Sequence, residues 1–313
     1  MTLEEIQTLL VGQNRLSIDP AICKQLNFKV NLLHKSPPVL EIENFFTDEE
    51  CNEYMAIIAI DNDSSATASY SALQVNSPKF SAEALSRRTS TTWFCHYHQV
   101  PSLLAKAKHM FTFHDSSSNN NNSNNNNKQP ITVNNIEEPQ IVRYRTNEEF
   151  TWHYDEIPSA QLDNGGQRIA TLLVYLNTLD NGNSNDNDTC DDSGGATVFR
   201  DLKFNDYNET QLKVTPKRGN ALLFFPADVD GVPDDRTLHK GEKVKKLLHI
   251  NSQEKVDDDG SVNVRVSNNN NTSKVIAQIW VHEGEYQPAV PSGNCHEDAH
   301  EAVREMERRL GLV

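Results

Sequence analysis

The sequence contains no hydrophobic run long enough to cross a bilayer and only five cysteines in 313 residues. A transmembrane helix needs about 20 consecutive apolar residues, so we expect no membrane span. The cysteines are scattered and form no C-x-x-C pair, which argues against a disulfide scaffold or a zinc ribbon and favours a reducing compartment. The opening run, MTLEEIQTLL, has the pattern of neither a signal peptide nor a transit peptide, so we expect cytoplasm or nucleus.

Basic residues are also scarce. The chain has 29 lysines and arginines against 44 aspartates and glutamates, which gives a formal net charge of -15. A surface of this sign repels nucleic acid and anionic membranes, so we expect neither as a partner. With 36% hydrophobic residues, the chain can bury a sizeable core. Composition does not specify the oligomeric state.

Four tracts rich in Asn, Asp and Ser interrupt the chain. They cannot bury enough apolar surface to offset chain entropy, so we predict that they are expanded loops. The segments between them are short, rich in β-branched and aromatic residues, and bounded by Gly, Pro or Asn, which predicts strands. The tracts are 114–130, 180–195, 256–260 and 267–273. The predicted strands are 138–145, 167–177, 195–201, 212–218, 220–227 and 274–283.

Helical patterns flank this strand-rich part, and residues 1–110 are the more helical region. Thr47 followed by Glu50 predicts a capping box at the start of one helix, and a second helix follows Pro101. Residues 295–313 predict an amphipathic terminal helix. Its predicted apolar face consists of Ala302, Met306 and Leu310. We therefore expect a mainly β fold with flanking helices (α+β), built on a sandwich or jelly roll.

His153 and Asp155 form an H-x-D pair in the run YRTNEEFTWHYDEIP, and His239 lies far downstream in DDRTLHKGEKV. In a strand, residues i and i+2 point the same way, so both members of the pair can reach one metal ion while Tyr154 points elsewhere. The third ligand must come from another strand, which accounts for the long gap. Two imidazoles and one carboxylate match the facial triad that holds Fe(II) and leaves positions open for co-substrate and oxygen.

The segments around these residues resemble the 2-oxoglutarate- and Fe(II)-dependent dioxygenases, and among them the prolyl 4-hydroxylase alpha subunit catalytic domain. The resemblance rests on PPVLEIENFFTDEECNEYM, which looks like the family's entry strand and first helix, and then on SRRTSTTWF, PQIVRYRTNEEFTWHYD, GGQRIATLLVYLN, GGATVF, VTPKRGNALLFF, DGVPDDRTLHKG and KVIAQIWVHE, in this order. It implies a double-stranded β-helix, which is a jelly roll with helices packed outside. It also implies an N-terminal helical extension (1–37), a dioxygenase domain with Asn/Asp-rich insertions (38–283), and a C-terminal tail and helix (284–313).

The resemblance implies that His153, Asp155 and His239 bind Fe(II), with 2-oxoglutarate and O2 as co-substrates and L-ascorbate to restore oxidised iron. The distal carboxylate of 2-oxoglutarate requires a buried cation. In prolyl hydroxylases this is a lysine shortly after the distal histidine, but here His249 occupies that position. Alignment by the final strand gives Lys274 instead, with Lys243 and Lys245 as alternatives.

Further residues receive roles from the same resemblance. Tyr144 and Tyr175 stand where relatives place tyrosines that contact the co-substrate. For Tyr175, an ordinary position in the core is an equal alternative. Trp280 is expected to form a wall of the site. Arg143, Arg145 and Arg168 are further candidates for substrate or loop contacts.

The activity that the resemblance implies is hydroxylation of peptidyl proline at C4, as in procollagen-proline 4-dioxygenase, with a proline-containing peptide or protein as partner. Two alternatives stay open: an oxygenase for another side chain or a small molecule, and a non-catalytic jelly-roll binding module. Prolyl hydroxylases of the collagen kind work in the secretory pathway, so the endoplasmic reticulum is the alternative compartment. The H-E-x-x-H run at 296–300 spells a zinc-protease motif, but its charged composition indicates a surface helix.

Overall fold

The computed structural model describes residues 1–60, 73–75, 88–114, 128–179, 193–205, 208–245, 254–256, 262–264, 273–288 and 296–313. Most of the four polar tracts predicted as loops lie outside these residues. Within the described ranges, no helix combines the length and the apolar character needed to cross a bilayer.

The described residues include five α-helices. They are Leu3–Val11 (α1), Pro20–Gln25 (α2), Asp48–Ile60 (α3), Pro101–Met110 (α4) and His296–Arg309 (α5). The capping box predicted before α3 is confirmed. The backbone N–H of Glu50 donates to Oγ1 of Thr47 at 3.2 Å, and the backbone N–H of Thr47 donates to Oε2 of Glu50 at 2.8 Å. Pro101 begins α4, where the missing N–H would have no partner inside the helix.

Helix α5 forms as predicted but buries a slightly different face. Ala299, Val303 and Met306 are buried, at the spacing i, i+4 and i+7 of one helix face. Of the predicted face, Met306 is buried, whereas Ala302 and Leu310 are only partly covered. The buried stripe follows from packing against α4, which the apolar pattern of α5 by itself does not specify.

The described residues include seventeen strands, and each of the six predicted strands is among them. The predicted strand at 212–218 ends earlier than expected, since Pro216 cannot donate to a ladder. The strands are Leu16–Ile18 (β1), Lys29–Lys35 (β2), Pro38–Glu43 (β3), Leu73–Val75 (β4), Thr91–Phe94 (β5), Phe111–His114 (β6), Lys128–Pro130 (β7), Gln140–Arg145 (β8), Phe150–His153 (β9), Arg168–Tyr175 (β10), Thr197–Asn205 (β11), Asn208–Val214 (β12), Ala221–Phe224 (β13), His239–Gly241 (β14), Glu254–Val256 (β15), Val262–Val264 (β16) and Ser273–His282 (β17).

Two antiparallel sheets form the body of the fold. The larger has eight strands in the order β2-β3-β13-β10-β17-β8-β5-β4, and the smaller has four in the order β12-β11-β14-β9. From β8 to β14 the chain passes back and forth between them: β8, β10 and β13 lie in the large sheet, and β9, β11, β12 and β14 in the small one. This alternation winds two sheets into one double-stranded β-helix. The predicted fold class is therefore confirmed. Two smaller sheets are separate from it. One has the strand order β1-β6-β7, and the other consists of β15 and β16.

Strand β10 shows how the large sheet is covered on both faces. Leu172 and Val174 pack in the cluster that includes the helices, whereas Leu173 and Tyr175 pack against the small sheet. A strand covered on both faces has a continuous apolar sequence rather than an alternating one, which explains the run RIATLLVY. The site lies between the inner faces of the two sheets.

Residues 1–110 contain more strand than the helical pattern predicted. Strands β2, β3 and β5 come from this part of the chain and pair within the large sheet. Strand β3 pairs with β13, and its residues Val39, Leu40 and Ile42 are buried in that position. Strand β3 is the entry strand that the resemblance predicts before the first helix of the domain, whereas β2 and β5 were not predicted. The domain boundaries proposed from the sequence stay predictions.

Candidate active site

The three proposed metal ligands are brought together by strand pairing in the small sheet. His153 ends β9, His239 begins β14, and the two residues are direct cross-strand partners. Asp155 follows β9 by two residues. One ligand atom from each of the three lies within 4.8 Å of the others. The long gap in sequence therefore closes because β9 and β14 are neighbours.

Both imidazoles present the same nitrogen to the centre of this group. Nδ1 of His153 donates to the carbonyl oxygen of Thr151 at 2.7 Å, and Nδ1 of His239 donates to that of Thr237 at 3.0 Å. A carbonyl can only accept, so in its neutral form each ring carries the proton on Nδ1 and keeps a lone pair on Nε2. Nε2 of His153 lies 3.6 Å from Oδ1 of Asp155, and Nε2 of His239 lies 3.9 Å from Oδ2.

Neighbouring residues hold Asp155 in place. Oγ1 of Thr171 donates to its Oδ2 at 2.8 Å, and Nη1 of Arg168 donates to its backbone carbonyl at 3.1 Å. Burial raises the pKa of Asp155, but His239, His153 and Arg168 outweigh it and the net pKa is lowered. Outer hydrogen bonds of this kind orient metal-ligating side chains.

The protonation states suit a divalent cation. Burial, followed by the adjacent His239, lowers the pKa of His153, so its imidazole is neutral at physiological pH. Two neutral imidazoles and one carboxylate form the donor set of non-haem Fe(II) sites, which keep open positions on the metal. Within the described residues, this is the one group of three or more His, Cys, Asp or Glu side chains close enough to share an ion. The residues present thus fit Fe(II).

Lys274 occupies the same cavity, on the inner face of β17. Its side chain is buried, and its Nζ lies 5.1 Å from the ring centroid of Tyr144 and 5.7 Å from that of Tyr175. Among the described residues, its ammonium group has no hydrogen bond or ion pair. Burial lowers its pKa to about 7, against a smaller opposing effect of Glu242. An ammonium group buried in this way suits a carboxylate ligand.

Two tyrosines accompany Lys274. Both are buried, and the hydroxyl of Tyr175 lies 3.0 Å from Oγ1 of Thr197, another residue of the cavity wall. Burial raises the pKa of each phenol, so both stay protonated at neutral pH. The closed end of the cavity therefore offers one cation and neutral hydroxyl groups. Tyr144 lines the cavity directly, whereas Tyr175 supports it from beneath Lys274.

The family model of the 2OG-Fe(II) oxygenase superfamily matches residues 139–282, the segment that carries the triad and Lys274. Residues 139–282 of the chain belong to this superfamily. This oxygenase is 25% identical to Prolyl 4-hydroxylase 2 of Arabidopsis thaliana over 280 residues, covering 82% of the chain and 79% of that relative. It is 29% identical to Prolyl 4-hydroxylase 5 of Arabidopsis thaliana over 232 residues, covering 69% and 67%.

Among solved structures, the oxygenase is similar to the viral collagen prolyl hydroxylase vCPH from Paramecium Bursaria Chlorella virus-1. The sequence identity is 19%, the alignment covers 78% of this chain and 94% of that one, and the TM-score is 0.43. Membership of the superfamily makes the protein a 2-oxoglutarate-dependent dioxygenase. The family uses Fe(II), 2-oxoglutarate and O2, and L-ascorbate is typical of its prolyl 4-hydroxylases, so the cofactors expected from the sequence are confirmed.

The alternative lysines lie away from the cavity of the oxygenase. Lys243 is half-exposed, with its Nζ 3.4 Å from Oε1 of Glu149, and Lys245 is exposed. Two of the candidate arginines also lie elsewhere. Arg143 packs its guanidinium 4.9 Å from the ring centroid of Trp93, and Arg145 is exposed. In the H-E-x-x-H run, His300 is exposed, and the side chains at 296–298 lie outside the described residues.

Trp280 and Arg168 stand next to Asp155. The guanidinium of Arg168 lies 4.2 Å from the ring centroid of Trp280 and forms an ion pair of 2.6 Å with Glu137. The same carboxylate lies 3.1 Å from Nε2 of His282. Because Glu137 and Asp155 both hold Arg168, its guanidinium is rigid beside the metal ligands.

Sequence reasoning missed three residues of this network: Thr171, Glu137 and Gln278. Thr171 and Gln278 line the cavity. The alternation of inward positions along β10 and β17 could have predicted them. Thr171 shares its face of β10 with Leu173. On β17 the inward positions are Lys274, Ile276, Gln278 and Trp280. Glu137 precedes β8 and carries no comparable signal.

Proposed function

We propose that this oxygenase hydroxylates prolyl residues of a peptide or protein at C4. The support is its similarity to proteins named prolyl 4-hydroxylases along about four-fifths of the chain, together with a cavity whose charged and polar groups fit the family's cofactors. The triad, the buried lysine and the aromatic wall all belong to this one cavity.

In this proposal, His153, Asp155 and His239 hold Fe(II) through two Nε2 atoms and one carboxylate. When bound, the iron together with 2-oxoglutarate and O2 supplies the oxidant that replaces a C–H bond by C–OH. The chain's own part is positional. Thr151 and Thr237 fix the tautomers of the two imidazoles, and the neighbours of Asp155 keep its carboxylate ionised and oriented.

Lys274 and Tyr144 receive the co-substrate, and Tyr175 supports Lys274. Lys274 takes the distal carboxylate, which supplies the counter-charge that its buried ammonium group lacks among the described residues. Tyr144 lines the same space and can donate from its hydroxyl, since its raised pKa keeps it protonated. Tyr175 and Thr197 close the deep end and exclude water from the charge pair.

The target residue enters beside Trp280 and Arg168. The indole offers an apolar face of suitable size for a pyrrolidine ring, and the guanidinium of Arg168 can donate to a peptide carbonyl. Since Glu137 holds that guanidinium, little conformational freedom is lost when the peptide binds. A rigid entry of this kind directs one C–H bond of the target toward the metal face.

Buried thiols support a reducing compartment. Cys23, Cys51 and Cys95 are buried, and burial raises the pKa of Cys23 to about 12 and that of Cys51 to about 11. Such thiols are inert toward disulfide exchange and are common in intracellular proteins. We accordingly place the protein in cytoplasm or nucleus, with the endoplasmic reticulum as the alternative.

A panel of proline-rich peptides tests the proposed activity. Each peptide is incubated with Fe(II), 2-oxoglutarate, O2 and ascorbate, and succinate formation and a mass gain of one oxygen on proline are measured together. Peptides with alanine in place of proline are the matched substrates, and His153→Ala is the inactive enzyme control. His300→Ala, at an exposed histidine far from the cavity, is the matched histidine variant and should retain activity.

The outcomes separate the candidate functions. Peptide-stimulated succinate formation with hydroxyproline as product supports the proposal. Turnover of 2-oxoglutarate without any prolyl product points to another side chain or a small molecule as the target. Equal function in the wild type and in His153→Ala would favour a non-catalytic binding module.

A further inference from the structure

Gln278 is a buried amide in the wall of the cavity, and the proposed function so far assigns it no role. It lies on the inner face of β17, with Lys274 deeper in the cavity and Trp280 at the other end. Its side chain is only 7% exposed. Neighbouring wall positions carry apolar side chains such as Ile276 and Leu173.

Gln140, on the neighbouring strand, binds the side-chain amide of Gln278. The two residues are cross-strand partners on β8 and β17, and Nε2 of Gln278 donates to Oε1 of Gln140 at 3.2 Å. Gln278 lines the cavity, and Gln140 lies outside the lining. Within the described residues this is the single side-chain hydrogen bond of Gln278. A primary amide can take part in four, so capacity remains for a ligand.

A buried amide lowers the stability of the fold unless its donors and acceptor form hydrogen bonds. Burying a donor or acceptor without a partner destabilises a protein, and Gln140 accounts for only one of the hydrogen bonds that this amide can make. Departures from such local rules are expected at functional sites. The Gln278 amide is therefore a contact point for whatever occupies the cavity.

Its position along β17 indicates which end of a ligand it meets. Trp280 pairs with Thr171, the residue that donates to Asp155, and Gln278 is the next inward position below Trp280. Lys274 is four residues farther, which is about 13 Å along a strand at about 3.3 Å per residue. Gln278 thus lies near the metal ligands and far from the lysine end.

We propose that Gln278 contacts the oxo-acid end of bound 2-oxoglutarate, opposite the end held by Lys274, and that Gln140 is a positioning residue for it. The carboxylate and keto oxygens at that end accept hydrogen bonds, and the amide N–H donates. The inference rests on the proposed co-substrate site and does not depend on which peptide is hydroxylated. Two opposed anchors set the direction of the co-substrate in the cavity.

Calorimetry under argon on the Fe(II)-loaded protein tests this without turnover. The probes are 2-oxoglutarate and 2-oxobutyrate, which keeps the oxo acid but lacks the distal carboxylate. Gln278→Met should weaken both probes about tenfold, and Lys274→Met should weaken 2-oxoglutarate alone. Gln140→Met should weaken both probes by a smaller factor. Gln211→Met, at an exposed glutamine on β12, is the matched control and should bind as the wild type does.

Three results would overturn the inference. If Gln278→Met binds both probes within twofold of the wild type, the amide does not contact the co-substrate. If that variant changes only the KM for a peptide, Gln278 meets the peptide instead. If its melting temperature falls while both affinities are retained, the role is structural. No peptide is present in the binding experiment, so failure of prolyl hydroxylation would leave its result interpretable.

Discussion

Thr171 donates a hydrogen bond of 2.8 Å from Oγ1 to Oδ2 of Asp155, which ties strand β10 to the proposed metal site. Thr171→Val keeps the shape of the side chain and removes the donor. We expect Fe(II) to bind about 10- to 100-fold more weakly, since outer-shell partners of metal ligands have effects of that size. Anaerobic competition with a chelator measures the affinity. Thr171→Ser retains the hydroxyl and should stay close to the wild type; equal affinity of the Val variant would contradict the prediction.

The buried ammonium group of Lys274 should destabilise the ligand-free protein. Burial lowers the pKa of Lys274 from 10.5 to about 7. Between pH 7 and pH 10.5, the unfolded chain therefore binds more protons than the folded protein. The destabilisation by Lys274 accordingly becomes smaller as pH rises through this range. Lys274→Met should raise the free energy of unfolding near neutral pH by up to about 5 kcal/mol, since one pKa unit corresponds to about 1.4 kcal/mol. It should also weaken binding of 2-oxoglutarate. Denaturant unfolding and calorimetry measure the two effects, and a variant that loses both stability and affinity would count against this view.

The same lysine predicts how co-substrate affinity depends on pH. Binding of the distal carboxylate requires the ammonium form, and in the empty cavity burial lowers the lysine pKa to about 7. Above pH 7, binding must therefore include uptake of a proton, and affinity should fall by up to about tenfold per pH unit. Measuring 2-oxoglutarate against 2-oxobutyrate isolates this effect, because titration of the metal ligands acts on both. A ratio of affinities that is constant from pH 7 to 9 would rule it out.

The capping box before α3 predicts a stability effect that leaves the site untouched. Thr47→Ala removes the acceptor for the backbone N–H of Glu50 and should lower the free energy of unfolding by about 1 kcal/mol. Fe(II) affinity should be unchanged, because α3 packs on the outer face of the large sheet. Urea unfolding and chelator competition measure the two quantities. A fall in metal affinity would show that α3 influences the site.

Short-range patterns predicted much of this protein. The six strands, the capping box before α3 and the H-x-D pair all depend on residues within a few positions of one another. His153 and Asp155 come together because they are two positions apart in the chain, although only His153 lies in β9. The resemblance predicted the entry strand β3, but β2 escaped prediction because its place depends on pairing with β3, which itself pairs with distant β13.

The sequence by itself determined the proposed metal donor set, since ligand chemistry depends on residue type and His153 and Asp155 are two positions apart in the chain. Tertiary structure decided which lysine shares their cavity. Because a segment is inserted after His239, the number of residues that follow this histidine does not identify the lysine. The pairing of β17 with β8 does, since it places Lys274 directly opposite Tyr144. The supporting contacts of Thr171 and Gln278 were decided in the same way, because a hydrogen bond between strands depends on register, and register is a property of the folded sheet.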